Sequence, residues 1–599
     1  MNDLWKTLSG FTTKRVADPV RNVIFRTLSR LGVTVQSFNI LLAVVVGVLS
    51  GLGAVVFIKL IDLFTWIFFD KVHGDLLGRT RALIFILPAI GGLLIAPLIK
   101  LFPTEAKGDG VPDAMEAITL KGGILKPRTT LIRTFTAAAT LGSGGSVGRE
   151  APIAQIGAAL GSSVGQFLRL SGEMMKTLVG CGAAGGIAAV FNAPIGGVFF
   201  ALEVMIGDFS LQTFGPIVIS SVIATVTMRA FLGDILQFQV PHYELRSAIE
   251  FVPYAVLGAI CGVLAVGFIR LLDWTEEFFN DRLRVNPLLK PAIGGLIVGL
   301  IAILFPQILG TEMESVNTAL FGQGAWFFLL FLGLLKIFTT SVSIGSGGSG
   351  GVLGPSLFIG GMLGGAIGKV FSLLFPSVVT TPGAYGLVGM GAFLASVVHA
   401  PITGIMIVFE MTNDYKAILP LMEATIIAMV VAKRLLPYSL YTYKLHLRGI
   451  DIVSGREMGV LKSLRVSDIM KKEFTTISPS ATFDEMVNVF INNPTNYLYI
   501  LDGDHRLAGV VSFSDIKSFV KDEELAHLVR AYDVATTDVV SVCPDDDLYT
   551  ALNRFGYKNV EQLPVIDNPI TRRLIGVIYR KDLLQAYQKE LIKMEFREE

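Results

Sequence analysis

From about residue 38 to residue 433 one apolar run follows another, for example over 41–60, 82–101, 252–269 and 326–337. A helix rises about 1.5 Å per residue, so runs of this length enter or cross a hydrocarbon layer about 30 Å thick. The pattern predicts a polytopic, α-helical membrane domain. Composition agrees, with 52% hydrophobic and 17% charged residues in a chain of 599, too apolar and too long for one ordinary soluble domain. Two further apolar stretches, 151–164 and 352–367, are short and glycine-rich. They predict helices that break or stop partway across the bilayer, which is tolerated only inside protein or along a pathway.

The 50 basic and 49 acidic residues leave a net charge of +1, with no basic excess to suggest a nucleic-acid partner. Cys181, Cys261 and Cys543 lie far apart and support neither a disulfide framework nor a thiolate metal site. The first 31 residues are polar and basic, unlike a secretory signal, and predict a cytosolic helix within 1–35. Lys6, Lys14, Arg15, Arg21, Arg26 and Arg30 stand there against Asp3 and Asp18. The positive-inside rule therefore puts this end in the cytoplasm, and Lys433 and Arg434 put the other end of the membrane domain there too. A bacterial inner (plasma) membrane fits these features.

The membrane part contains a repeat. Gly142-Ser-Gly-Gly-Ser-Val-Gly-Arg-Glu-Ala-Pro152 aligns without gaps with Gly345-Ser-Gly-Gly-Ser-Gly-Gly-Val-Leu-Gly-Pro355. Ala193-Pro-Ile-Gly-Gly-Val-Phe-Phe-Ala-Leu-Glu203 aligns, at nearly the same separation, with Ala400-Pro-Ile-Thr-Gly-Ile-Met-Ile-Val-Phe-Glu410. Two motifs in one order predict a duplicated domain of broken, tilted helices, its halves inverted, with a binding site between them. An anion leaving water needs hydrogen-bond donors, and a mid-membrane lysine or arginine would trap it. Glycine turns that open into helix N-termini offer backbone N–H groups and the positive end of the helix dipole instead. The plainer reading is that the glycines only allow close helix packing.

Glu150 falls inside the first glycine motif in otherwise apolar surroundings. A carboxylate there can occupy the anion's site, swing aside as a gate and accept a proton. The alternative is a structural carboxylate paired with Arg149. Glu203 and Glu410 occupy equivalent positions near helix ends, where an interhelical structural role is expected.

After about residue 447 the composition turns to charged, alternating segments. Residues 476–479, a helix from Phe483, 497–501 and 508–511 read as β-α-β-β. The order recurs over 539–544, 548–555, 562–566 and 574–578, so the tail holds two copies of one α/β unit. The expected boundaries are a membrane domain over 36–446 (halves at about 36–235 and 250–446), a linker over 447–465, and tail units over 466–520 and 531–588. Each unit ends in a strand, a turn and an acidic residue: Gly509-Val-Val-Ser-Phe-Ser-Asp515 and Gly576-Val-Ile-Tyr-Arg-Lys-Asp582.

Gly148-Arg-Glu-Ala-Pro152, the Gly-Ser-Gly-Gly-Ser runs and Gly351-Val-Leu-Gly-Pro355 resemble the motifs of the CLC family of chloride channels and proton/chloride antiporters, and the tail resembles the paired CBS domains of many members. The resemblance covers roughly residues 36 to 590. It implies a homodimer with one pore per subunit, about eighteen mostly tilted helices in each, and adenine-nucleotide binding between the CBS repeats. It makes Glu150 the gating glutamate and puts Arg149, Gly110, Val111, Val352 and Leu353 around the anion, with leucine at 353 where phenylalanine is common. Tyr441 best matches the tyrosine whose hydroxyl faces the anion, with Tyr438 as the alternative. The family's Gly-Ser-Gly-Ile-Pro motif appears as Gly108-Asp-Gly-Val-Pro112. Asp109 therefore replaces a serine that coordinates the anion, and ionised it would repel one.

In antiporters resembling this chain, a glutamate directly after the residue matching Glu203 commonly delivers protons. Here that position is Val204, as in channels of the family. This points to passive conduction, with proton-coupled antiport as the alternative. Glu203 cannot simply substitute, because one helical step turns a side chain by about a quarter turn. In the tail the resemblance puts Ser512 against a phosphate and Asp515 and Asp582 against ribose hydroxyls, unless these acids serve only as N-caps. Tyr579, the counterpart of Ser512, makes the half-sites unequal.

An enzyme is the rival class. Gly144-Gly-Ser-Val-Gly148 and Gly347-Gly-Ser-Gly-Gly351 satisfy G-x-S-x-G, with His399 as a conceivable base for an intramembrane serine hydrolase. Both copies carry the serine, yet the position equivalent to His399 is Asn192, and a catalytic pair has no need of duplication. Gly345-Ser-Gly-Gly-Ser-Gly350 lacks the strand-helix context of a dinucleotide site.

Overall fold

The computed structural model describes residues 35–76, 81–102, 110–170, 172–233, 238, 247–310, 313–379, 381–412, 415–450, 461, 464–493, 495–517, 528–558 and 560–596. They fall into two compact units, Met1–Ile450 and Asp451–Glu599. The helix expected near the N-terminus and Asp109 lie outside the described residues.

The first unit is helical. Its first half comprises α1 (Val35–Thr65), α2 (Ile86–Leu101), α3 (Val111–Leu120), α4 (Pro127–Gly142), α5 (Glu150–Leu168), α6 (Gly172–Phe191), α7 (Pro194–Phe199, continuing π-wound to Ile206) and α8 (Leu211–Leu232). The second half repeats the series as α9 (Phe251–Glu277), α10 (Lys290–Leu304), α11 (Met313–Leu320), α12 (Trp326–Gly345), α13 (Leu353–Leu374), α14 (Pro382–Val398), α15 (Pro401–Thr412) and α16 (Ile418–Leu435), and α17 (Leu440–Leu447) closes the unit. Among the described residues eight helical segments are long and apolar enough to cross a membrane. The chain is an integral, multi-pass membrane protein.

Local chemistry fixes the helix ends. Proline in the first turn opens α3, α4, α7, α10, α14 and α15, where its missing N–H would have had no helical partner. Asn192 and His399 end α6 and α14 in the left-handed conformation, with φ of 55° and 54°, and an Ala-Pro pair restarts the chain after each. The glycine turns reverse at Gly144 (φ +94°) and Gly347 (φ +111°), a geometry that disfavours any side chain. Helices α5 and α13 run longer than their glycine content suggests, 19 and 22 residues, because their glycines face neighbouring helices. A β-carbon on Gly157 would stand 2.0 Å from the Gly182 carbonyl of α6, and one on Gly360 2.2 Å from the Gly389 carbonyl of α14. Close packing is thus one real use of these glycines.

The halves meet in the middle of the duplicated motifs. Gly148 N donates to Gly351 O at 2.7 Å and Gly351 N to Gly148 O at 2.6 Å, an antiparallel bridge between equivalent residues. Such reciprocity is the signature of a local two-fold axis and hence of an inverted repeat. Side chains follow it: Ser146 N donates to Ser343 Oγ, and Ser349 N to the equivalent Thr140 Oγ1.

In the second unit β1 (Thr476–Ile477) pairs parallel with β2 (Tyr497–Leu501), which pairs antiparallel with β3 (Leu507–Ser512), with α18 (Phe483–Asn492) between β1 and β2 and a short α19 (Phe513–Ile516) after β3. Then follow α20 (Ala531–Val534), α21 (Leu548–Lys558), the antiparallel pair β4 (Gln562–Ile566) and β5 (Leu574–Tyr579), and α22 (Arg580–Phe596). The strand expected over 539–544 shrinks to a single parallel bridge from Val542 to Val565. The next residue, Cys543, turns its N–H to Asp546, and Pro544 has none to give. The repeats interlock: Lys471, ahead of β1 in the first, pairs with Val577 of β5, and Thr536, ahead of α21 in the second, pairs with Val510 of β3.

Candidate functional site

Glu150 is the first residue of α5 and has no solvent exposure. Its Oε2 accepts a hydrogen bond from Gly354 N in the first turn of α13 at 3.1 Å, while Oε1 is buried without a hydrogen-bond partner. The carboxylate therefore lies against the N-terminus of the other half's helix, beside Val352 and Leu353. A β-carbon on Gly354 would sit 2.7 Å from Oε1, so the space is shaped for the carboxylate or for something that takes its place. An unpaired carboxylate oxygen in a buried site is costly, on the order of 1–3 kcal/mol or more.

Arg149 does not form the ion pair considered for it. It lines a separate cavity of about 440 Å³ with Lys59, Asp62, Asn192 and Arg229, while Glu150 is held by an amide. Gly110 caps α3 in the left-handed region (φ +85°), and Val111 is buried as its first residue. Tyr441 is fully buried on α17, which packs on α3 and α14. Tyr438 is half-exposed and stacks on His446, ring centroids 4.3 Å apart. Of the two tyrosines, Tyr441 alone sits inside the helical bundle.

Glu203 is committed to the fold. Its carboxylate accepts from Ile402 N (3.3 Å), Thr403 N (2.8 Å) and Thr403 Oγ1 (2.7 Å), capping the first turn of α15. Glu410 returns the favour on α7, accepting from Ile195 N (3.0 Å) and Gly196 N (2.6 Å). Val204 is buried on the π-wound continuation of α7, packed on α3. Ser146, a serine of the G-x-S-x-G matches, lies against the hydroxyls of Thr339 (3.1 Å) and Thr340 (3.4 Å), neither of which is a base.

In the second unit a cavity of about 290 Å³ is lined by Tyr497, Tyr499, Ser512, Asp515, Thr536 and Asp538. Asp515 Oδ2 accepts from Ser512 N and Ser512 Oγ, both at 2.7 Å, so the cap considered for it is present. Asp582 does not join this cavity. It pairs with Lys471 at 2.8 Å, an attachment that holds the lysine's pKa above its usual value, and Lys471 also lies over the Tyr579 ring.

Sequence reasoning missed the Gly354 amide and a buried cation in each half, Arg133 on α4 and Lys336 on α12. Extending the motif alignment upstream would have found the cations, which occupy equivalent positions. The amide carries no side-chain signal.

A family profile described as voltage gated chloride channel matches residues 91–433, and the CBS domain profile matches 466–522 and 531–589. The H(+)/Cl(-) exchange transporter ClcA of Vibrio cholerae is 32% identical over 452 residues, which span 74% of this chain and 95% of the relative. Chloride channel protein CLC-f of Arabidopsis thaliana is 28% identical over 595 residues, 86% of this chain and 75% of the relative. Among solved structures, a slow cyanobacterial Cl-/H+ antiporter superposes with a TM-score of 0.63 at 26% identity, covering 68% of this chain and 97% of its own. A eukaryotic CLC transporter gives 0.61 at 20% identity over 92% and 99%, a likeness of fold alone. With its membrane unit matched over most of its length and its tail matched twice, the chain belongs to the voltage-gated chloride channel (CLC) family and carries a CBS pair.

Proposed function

We propose that the chain moves chloride across the membrane past the paired glycine turns, with the Glu150 carboxylate as the gate. The observation that carries this is the position of that carboxylate, buried on the Gly354 amide with one oxygen unsatisfied. An amide at a helix N-terminus binds any anion, so side chain and chloride compete for one donor. Two events release the gate: an anion taking over the amide, or a proton taking the carboxylate's charge. Passive conduction is the reading for the pathway beyond it, since Val204 cannot carry a proton and the Glu203 carboxylate is spent on the α15 cap. The second reading, proton-coupled exchange, is favoured by the names of the exchange transporters among the relatives.

An adenine nucleotide is read into the tail cavity on the Asp515 side only, because the Lys471 ion pair engages Asp582. The homodimer implied by the family would cover apolar residues exposed on α16 such as Leu419, Ile426 and Val430, and the mass of the purified complex decides it.

Reconstitution in liposomes under a chloride gradient, with the reversal potential recorded as pH is varied on one side, tests the reading. A potential that ignores the pH gradient is expected, and Glu150→Gln should remove the dependence of chloride flux on pH. A potential displaced by the pH gradient overturns passive conduction in favour of exchange, and wild-type vesicles that pass no chloride overturn transport. Adding ATP to the same vesicles should change the flux of the wild type and not of Asp515→Ala.

A further inference from the structure

A groove of about 460 Å³ runs between α1 and α5, lined by residues of α1 from Phe38 to Leu49 and of α5 from Leu160 to Leu168. The two helices run antiparallel along it: Leu168 shares an apolar cluster with Phe38, and a β-carbon on Gly53 would stand 3.0 Å from Leu160 Cδ1. Among the lining residues Ser163 alone has a polar side chain, and its hydroxyl donates to Ala159 O at 2.7 Å. Leu41, Val45 and Phe167 stay exposed, so the groove is open on its outer side. At about 1.5 Å per residue its walls are about 16 Å and about 12 Å long. That is close to the depth of one leaflet, about half of a hydrocarbon layer about 30 Å thick.

A cation stands where the groove ends. Arg169 follows Leu168 directly, is exposed, and caps α5 with left-handed backbone (φ 52°), a place where glycine is usual. The turn into α6 also carries Glu173 and Lys176, which pair with each other at 2.6 Å, so Arg169 leaves this end net positive. The second half does not repeat the arrangement. Carried on from Gly157 and Gly360, the repeat alignment puts Ser372 opposite Arg169, and Leu363, opposite Leu160, packs on Gly333 of α12. We propose that the groove between α1 and α5 is a binding site for an anionic phospholipid, one acyl chain lying between the helices and the headgroup phosphate meeting Arg169 at the membrane surface. An apolar channel one leaflet deep, with a guanidinium at its mouth, matches such a molecule at both ends. On the positive-inside reading the lipid belongs to the cytoplasmic leaflet. A neutral lipid has the same chains, and a choline headgroup sets an ammonium beside its phosphate, so the content of the proposal is a preference for net negative charge.

Phe167→Trp, at an exposed position of the wall, puts a fluorescent reporter in the groove of the full chain. The protein is reconstituted in phosphatidylcholine vesicles, the signal of the four native tryptophans is subtracted using the chain without the reporter, and the reporter is titrated with chain-brominated phosphatidylglycerol or chain-brominated phosphatidylcholine. The expected result is half-maximal quenching at a roughly fivefold lower fraction of the anionic lipid, the gain that about one basic side chain near the surface supplies. Arg169→Gln should abolish that preference and Arg169→Lys should keep it, with quenching by phosphatidylcholine unchanged in both. Should Phe167→Trp give no monodisperse protein, Leu41→Trp on the opposite wall carries the same prediction. Equal quenching by the two lipids with Arg169 in place means ordinary boundary lipid and overturns the inference, as does a preference that survives Arg169→Gln. Quenching by neither lipid puts a protein segment in the groove, residues 1–34 being the nearest in sequence, and overturns it as well.

Discussion

Where the first membrane half carries Glu150, Arg133 and Glu203, the second carries Leu353, Lys336 and Glu410 at equivalent places. The two glutamates that cap helices are kept, each bonded to the amides of the opposite half. The carboxylate at the turn is not kept: Glu150 faces the second half's helix, and Leu353 offers nothing in return. Scaffold contacts are therefore reciprocal, and the chemistry is one-sided. A two-fold arrangement builds a site between its halves, but the gate proposed for Glu150 needs only one carboxylate, and a second would repel the first. The tail repeats follow the same division. Lys471 and Thr536 exchange edge pairings symmetrically, while Asp515 lines a cavity and Asp582 is locked to a lysine.

The most severe way to test that symmetry is to fill the helix crossings. Gly157→Val and Gly360→Val each drive a side chain into a main-chain carbonyl that cannot rotate away. The penalty should exceed the about 1–3 kcal/mol of ordinary overpacking, and both variants should give no monodisperse peak on size exclusion. A folded Gly360→Val beside a lost Gly157→Val would show that the halves are packed unequally.

Next come the caps. Glu203→Ala and Glu410→Ala each strip charge-assisted bonds worth about 1.5–3 kcal/mol before compensation, and both should lower the thermal midpoint. Glu203, with its extra bond from Thr403 Oγ1, should cost more, and the reverse order would break the assignment of Glu203 as mainly a cap.

The smallest effect concerns the tail. Asp502 and Asp567 sit at the turns before β3 and β5. The Arg506 amide holds the first below the usual carboxylate range, and the Thr571 hydroxyl holds the second there, each helped by further amides. A depressed folded pKa adds stability that is complete above the unfolded value of about 3.9 and is lost as pH falls through the folded one. Hydrogen exchange over residues 497–512 and 562–579 should accelerate below about pH 4, and Asp567→Asn should flatten that acid limb in the second repeat alone.

Much of this was legible in the sequence. The apolar runs announce the membrane unit, the duplicated motifs announce its two halves, and the bounds of β4 follow from the run Gln562–Ile566. What was not legible lies in pairings without local pattern. Nothing near Asp113 of α3 announces its bond from Arg448, more than three hundred residues on, and nothing in the tail predicts that each repeat's lead-in would edge the other's sheet. The Glu150 acceptor was hidden for another reason: its donor is an amide, and every residue but proline has one.

The bond between Gly148 and Gly351 has a consequence for how such a chain can change over time. The joint is made of main-chain atoms, so substitutions elsewhere leave its donors and acceptors intact. Side chains a few positions away are then free to diverge without parting the halves. A duplicated ancestor with two identical turns could in this way acquire a glutamate on one side and a leucine on the other, becoming a molecule with a front and a back while its seam stayed the same.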